Sequence, residues 1–368
     1  MRPYIPDALP LEDIDYRRLF KLAADANAEL ARFDGLLQGI PNSELLLTPL
    51  TTNEVVLSSR IEGTQATLND VLEFEAGASK TPALEQDVQE IINYRKAIHY
   101  SQQQLAAEPV SLRFIRELHQ MLMDSVRGAD KSPEQFRQTQ NYIGQIDTDI
   151  NHATFIPPDP IRLISDLEAF ERYLASDDIE ILLQTAVVHA QFELIHPFND
   201  GNGRIGRLLI PLFLYQKKKL SKPIFYISDF LEKNRDTYYA CLRNISSSPK
   251  DWNGWIDFFF RAVSVAAKDN CSKVKNILAL YDEMKSTIQK ITHSQYVIQI
   301  IDALFSQPIF RNAEFAKKTG IKPSTTKKLL LQLKNEGVLH EIEPARGRIS
   351  ANIIFPRLLN ITEGREIF

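Results

Sequence analysis

Apolar residues recur at three- and four-residue spacing through "YRRLFKLAADANAELARFDGLLQGI" and "ALEQDVQEIINYRKAIHYSQQQLAAE", which predicts amphipathic helices and a helical layer over the first hundred residues. "SLRFIRELHQMLMDSV", from Ser111, repeats the pattern. The period then breaks: "RQTQNYIGQIDTDINHATFIPPDP" reads as short β-like runs around Gly144 with a Pro157-Pro158 stop, a hairpin or flap. Helical patterns resume in "IRLISDLEAFERYLAS", "IEILLQTAVVHAQFELI", "RLLIPLFLYQKKKL" and "NRDTYYACLRNI", and continue in "WNGWIDFFFRAVSVAAKDN" and a charged helical connector. The last segment changes character. It predicts a short helix, a turn at Gly320, a second helix opened by Pro323-Ser324, and a strand-turn-strand with Gly347 at its tip, a winged helix-turn-helix pattern.

The expected fold class is therefore mainly α. Its expected parts are an N-terminal helical region (1–110), a catalytic domain (111–265), a helical connector (266–290) and a winged helix-turn-helix domain (291–360). A chain of 368 residues has room for two or three such domains. Cys241 and Cys271 stand alone, without metal-ligand spacing, so neither a disulfide framework nor a zinc site has anything to build on. The N-terminal stretch lacks an apolar signal region, and the longest apolar run, near "LLIPLFLY", is short of the roughly 20 residues a bilayer span needs. No membrane association and a cytoplasmic location are expected. Charge is uneven. Phe310 to Arg348 holds nine Lys or Arg against four Asp or Glu, a net of +5, which leaves −9 elsewhere in a chain of net −4.

"HPFNDGNGRIGR", His196 to Arg207, concentrates chemistry between two apolar helical runs. Gly201, Asn202 and Gly203 permit left-handed backbone just before a helix, so amide N–H groups converge there on an anion. Arg204 and Arg207, three apart on that helix, add forked donors suited to a polyphosphate. Asp200 facing phosphates alone would repel them, so its expected job is to hold a divalent cation, magnesium best. His196 can be neutral near pH 7 and take a proton from an incoming hydroxyl. The stretch is not a Walker A loop, since no Gly-Lys-Ser/Thr follows, and not a dinucleotide fingerprint, since helices flank it.

The stretch resembles the signature HPFxDGNGRxxR of the Fic-domain proteins at every specified position, and the resemblance extends over roughly Leu45 to Arg261. It implies a compact helical core that transfers AMP from ATP, with Mg2+, to a protein hydroxyl (Ser, Thr or Tyr), the chain itself included, with release of pyrophosphate. It implies His196 as base and Asp200 as magnesium ligand. Gly201 to Gly203 would cradle the phosphates, Arg204 and Arg207 hold the β- and γ-phosphates, and Ile205 and Gly206 complete the nucleotide segment. Phe198 would pack under the loop. Tyr239, in "FLEKNRDTYYACL", would face the adenine, and the flap would pair with an extended target segment by strand addition.

Upstream, "SSRIEG" ends a helical run with Gly63 just past it and Glu62 at the negative end of the helix dipole, an unfavourable placement that an arginine contact would compensate. Ser58 lies one turn back on the same face. The stretch resembles the family's inhibitory motif [S/T]xxxE[G/N] through Ser58, Glu62 and Gly63. In such members the glutamate pairs with the last arginine of the signature, here Arg207, so Glu62 belongs to the nucleotide site as well as to the motif.

The leading expectation is an autoinhibited protein adenylyltransferase. Two rivals stay open: the same site moving another phosphate-linked group or removing AMP, and a transcription regulator whose helical core is a nucleotide sensor. For the winged helix, weak DNA or protein contact is expected, because its second helix offers Lys327, Lys328 and Lys334 but no arginine for guanine. A homodimer is expected by analogy.

Overall fold

The structure, a computed structural model, describes residues 2–40, 42–124, 132–144, 150–343 and 351–367. Helices α1 (Tyr16–Gln38), α2 (Ser43–Leu46), α3 (Thr48–Ile61), α4 (Leu68–Glu75) and α5 (Pro82–Gln104) come first. They are followed by α6 (Leu112–Leu122), α7 (Pro160–Ala175), α8 (Ile181–Ile195) and α9 (Asn202–Gln216). Next come α10 (Ser228–Lys233), α11 (Arg235–Ser246), α12 (Trp252–Thr292) and α13 (Val297–Ser306). The chain closes with β1 (Ile309–Arg311), α14 (Asn312–Thr319), α15 (Pro323–Asn335), β2 (His340–Glu343), β3 (Asn352–Ile354) and α16 (Pro356–Glu363). The fold is mainly α, as the periodicity predicts. The segment 266–290, expected as a helical connector, is helical and continuous with the helix before it in the 41-residue α12. Its charged positions do not interrupt the helix, because solvated charges on one face cost the backbone nothing.

Two compact units emerge, and neither is one stretch of chain. The first contains Met1–Gln38, Leu57–Gly63 and Ile92–Lys268, and the second Gly39–Val56, Thr64–Ile91 and Asp269–Phe368.

In the first unit α8 is the central helix, packed by α1, α7, α9 and α11. Residues from Leu182 to Ile195 are buried on every side of it except at Glu193. Such a helix has no polar stripe, which is why its few polar residues, Gln184, Thr185, His189 and Gln191, are buried among apolar ones rather than gathered on one face. Local signals set the helix starts. Ser111 accepts from the Phe114 amide to open α6, and Asp159 accepts from Ile161 just ahead of Pro160 at the first turn of α7. Among the described residues of the flap, Ile143 forms an antiparallel bridge with Phe155, the Ile143 amide donating to Phe155 O at 2.9 Å. Residues 145–149 of the flap lie outside the described residues.

In the second unit, α14 ends at Gly320 in the left-handed conformation (φ +70°), and Pro323 starts α15, as read from the sequence. Three antiparallel strands follow the order β1-β3-β2, with Ile309 opposite Ile354 and His340 opposite the same Ile354. β1 was not anticipated, since three residues between two helices leave too little alternation to read. The wing tip at Gly347 lies outside the described residues. α4 is stapled by a capping box between Thr67 and Asp70, and its buried Leu68, Leu72 and Ala76 join Ile309, Ile354 and Leu359 in one core.

Candidate active site

The loop from His196 to Gly201 joins α8 to α9, the two helices that pack most extensively on each other in the first unit. His196 caps α8 in the left-handed region (φ +49°, ψ +61°), its amide donating to Phe192 O at 3.0 Å. Its ring Nδ1 lies 3.2 Å from Glu193 O. A carbonyl can only accept, so Nδ1 carries the proton and Nε2 of the neutral ring keeps its lone pair. Burial disfavours the charged ring and holds its proton affinity below the ordinary histidine value, against the opposing pull of the Glu193 carbonyl and of Glu62. A neutral imidazole whose Nε2 keeps its lone pair is the form a proton acceptor needs.

The rest of the loop is braced from below. Phe198 is fully buried and stacks on His119, with ring centroids 3.8 Å apart. The Asn202 side chain brackets one residue, accepting from Phe198 N and donating to Phe198 O, each at 2.8 Å. His119 accepts from the Glu134 amide at Nδ1, so its Nε2–H donates to Asp200 O at 3.0 Å, and burial lowers its pKa to about 4. His119 is therefore a neutral strut. Arg137 is buried beside the loop, and desolvation brings its pKa down to about 10 despite Asp159 and Asp166.

Gly201 is the N-cap of α9 at φ +75°, where a side chain is strained and no side chain caps the first turn. The first-turn amides of Asn202, Gly203 and Arg204 form the start of a helix with its positive dipole end at the loop. Asp200 Oδ1 accepts from the Gly201 amide at 2.6 Å and lies 3.6 Å from an Arg204 Nη. Ile205 is fully buried, and Gly206 faces α8, where an added methyl would collide with the Glu193 carboxyl.

Arg207 points to α3. Its Nε donates to Ser58 Oγ at 2.8 Å, one Nη donates to Ser58 O at 2.9 Å, and the other lies 2.8 Å from Glu62 Oε1. Burial opposes the charge on Arg207, and the Glu62 carboxylate more than offsets it, so the guanidinium is held firmly protonated. α3 ends at Ile61, and Gly63 takes φ +101°, so the helix stops where Glu62 can turn toward α9. A methyl group on Gly203 would run into that same carboxylate. Glu62 thus lies across the first turn of α9. Tyr239 is half-buried, its hydroxyl 3.4 Å from Ile61 O, whereas Tyr238 is 1 % exposed and bonded to His189.

The structure brings Ser58, Glu62 and Tyr239 to the His196–Arg207 loop, and adds four residues. Tyr94 donates to Arg204 O at 2.8 Å and meets Ser58 Oγ at 3.4 Å. His119, Arg137 and Glu193 complete the set. The Glu193 Oε1 is buried without a hydrogen-bond partner, and desolvation raises its pKa to about 8, with Arg207 opposing. Nothing local in the sequence marks these four, since each is a single polar residue on a helix or loop. Only the apolar surroundings of His119 in "IRELHQML" hint at a buried role.

Family models match at two places: the Fic/DOC family N-terminal over residues 20–103 and the Fic/DOC family over residues 109–214. The chain belongs to the Fic/DOC family. A probable protein adenylyltransferase of Aquifex aeolicus is 32% identical over 92 residues, 25% of this chain and 26% of that protein. The protein adenylyltransferase Fic of Drosophila erecta is 34% identical over 132 residues, 34% of this chain and 24% of that protein. The matched segments thus span about a quarter of each of these two relatives. The crystal structure of a Fic family protein from Desulfovibrio desulfuricans shares the fold, with a TM-score of 0.55 at 18% identity over 96% of this chain and 98% of that one. The Fic match ends inside α9, seven residues past Arg207, so it takes in the whole loop. No helix among the described residues is long and apolar enough to cross a membrane.

Proposed function

We propose that this Fic protein is an autoinhibited protein adenylyltransferase. His196 Nε2 takes the proton of a target Ser, Thr or Tyr hydroxyl as that oxygen attacks the α-phosphorus of ATP. The new O–P bond forms while the bond from the α-phosphorus to the bridging oxygen breaks, and pyrophosphate leaves with the electron pair. The amides of Gly201 to Gly203 and the guanidinium of Arg204 bind the phosphate chain, and Tyr239 borders the adenine. These roles rest on the loop's geometry and on the activity for which the relatives are named.

Magnesium fits the donor set. Asp200 is one partly exposed carboxylate at the mouth of the loop, 36% exposed in its side chain. Among the described residues no cluster of three or more His, Cys, Asp or Glu is placed to hold a metal, and Mg2+ commonly takes one or two carboxylates plus phosphate oxygens and water. Bound there by Asp200, it would supply charge neutralisation to the departing pyrophosphate.

One observation carries the autoinhibition: Glu62 Oε1 lies 2.8 Å from an Arg207 Nη while reaching over Gly203. Arg207 is the cation suited to the γ-phosphate, and the carboxylate beside it repels that phosphate. Residues 111–265 would hold the chemistry, with the helix-turn-helix making weak DNA or protein contacts and a homodimer as the assembly. Mass spectrometry of the purified chain and of lysate proteins after incubation with ATP and magnesium tests the reading. AMP adducts are expected, and release of AMP from modified protein, or transfer from another labelled nucleotide only, would move the assignment to the alternative chemistry of the same site.

A further inference from the structure

Arg137 lies 59 residues before His196, outside the signature loop, and only 3 % of it is exposed. Its Nε donates to His196 O at 3.0 Å. One Nη donates to Pro158 O at 2.6 Å and Ile195 O at 3.4 Å, and the other to Thr139 O at 3.4 Å. Its own amide donates to Pro197 O at 2.9 Å. Two neighbours extend the strap: Gln140 Nε2 donates to Pro157 O at 3.0 Å and Asn141 Nδ2 to Phe198 O at 3.2 Å.

Every acceptor of the guanidinium is a backbone carbonyl, with Asp159 and Asp166 adding charge from farther away. A buried cation without an ion-pair partner is costly to keep. Its donors reach the left-handed turn that aims the imidazole, the Pro158 end of the flap, and Thr139 two residues further along the chain. The fan of donors is something a guanidinium can supply and an ammonium cannot, because five N–H groups lie in one rigid plane.

We propose that Arg137 is a positioning residue that locks the His196 turn to the base of the flap, so that a target segment paired with the flap presents its hydroxyl to Nε2. The proposal rests on the adenylyltransferase reading for its consequence, and on the contacts of Arg137 alone for the locking. It explains why the ring keeps Nδ1 on the Glu193 carbonyl: three consecutive carbonyls, Ile195 to Pro197, are held by one residue.

The test compares the parent, Arg137→Lys and Arg137→Ala, each also carrying Glu62→Gly so that transfer is fast enough to follow. Self-modification with labelled ATP gives rate and KM for ATP. Nitrogen NMR of the histidine rings, with His196 assigned by its loss in His196→Ala, gives the tautomer. Arg137→Ala is expected to slow transfer about a hundredfold, the cost of roughly 1 Å of misplacement, with KM for ATP within about twofold. Its His196 is expected to shift from the Nδ1–H form toward the mixture of a free imidazole. Arg137→Lys should recover part of the rate, and added guanidinium ion should partly restore Arg137→Ala. If Arg137→Ala does not fold, Arg137→Lys, which keeps the buried charge, decides the matter through the same measurements. A parental rate and tautomer in the folded variants overturns the proposal, as does a slow variant whose tautomer is unchanged and which guanidinium does not restore. If neither the parent nor Glu62→Gly modifies anything, the enzymatic reading fails while the tautomer still decides the locking.

Discussion

His196 holds a backbone conformation that few residues with a side chain adopt (φ +49°), and its ring is fixed through one carbonyl. His196→Ala is expected to abolish AMP transfer, a loss of about 10² to 10⁴, while calorimetry shows ATP binding nearly unchanged, because in the proposed site the phosphates are left to amides and arginines. A variant that keeps full activity would remove His196 as the base. Glu193, three residues earlier, makes a different prediction. Burial raises its pKa from 4.5 to about 8, so the folded protein favours the neutral acid and the unfolded chain the carboxylate. Its contribution is fully present below about pH 4.5 and is lost as pH rises through about 8. Glu193→Gln stays neutral throughout. Urea denaturation across pH 5 to about 9 should show the parent losing stability relative to Glu193→Gln as pH rises. Parallel curves for the two proteins would refute the burial argument.

At the scale of elements, α3 and α9 carry the proposed control. A charge-assisted contact contributes about 1.5 to 3 kcal/mol, so if the Glu62–Arg207 pair is the whole block, Glu62→Gly raises self-modification roughly ten- to a hundredfold. Adding Arg207→Ala should erase that gain, since the arginine it frees is gone, whereas a general loosening of α3 would not depend on Arg207. Activity of Glu62→Gly at or below the parent contradicts autoinhibition and leaves the loop chemistry standing. Much of this was legible in the chain. Glu62 and Gly63 announced a helix end in need of a cation, and the twelve-residue loop announced an anion site. Arg137, Tyr94 and His119 were not legible, because each acts through backbone carbonyls or amides far along the chain, and a carbonyl leaves no mark in a sequence. The helices α8 and α9 were readable as apolar runs, but nothing in them said that Gly206 is the space into which the Glu193 carboxyl fits.

At the scale of the molecule, Leu68, Leu72 and Ala76 give α4 an apolar face, and four-residue spacing alone does not say what covers it. The structure supplies Ile309, Ile354 and Leu359. Leu72 is 2 % exposed in that core, so Leu72→Ala should cost about 2 to 5 kcal/mol. Chemical denaturation should report this as a lower midpoint for the second unit, and an unchanged midpoint would mean that α4 is not part of its cooperative core. The same core sets a timetable for a chain made from its N-terminus. When Ala76 is joined, its partner Ile309 is still 233 residues from being made, and Ile354 follows 45 residues later. At about 5 to 20 residues per second the ribosome takes on the order of ten seconds to a minute to deliver them. Through that interval the apolar side chains of this segment lack their cover, so newborn chains of this protein need a chaperone's shielding or a wait beside the ribosome until the stretch from Ile309 to Leu359 arrives.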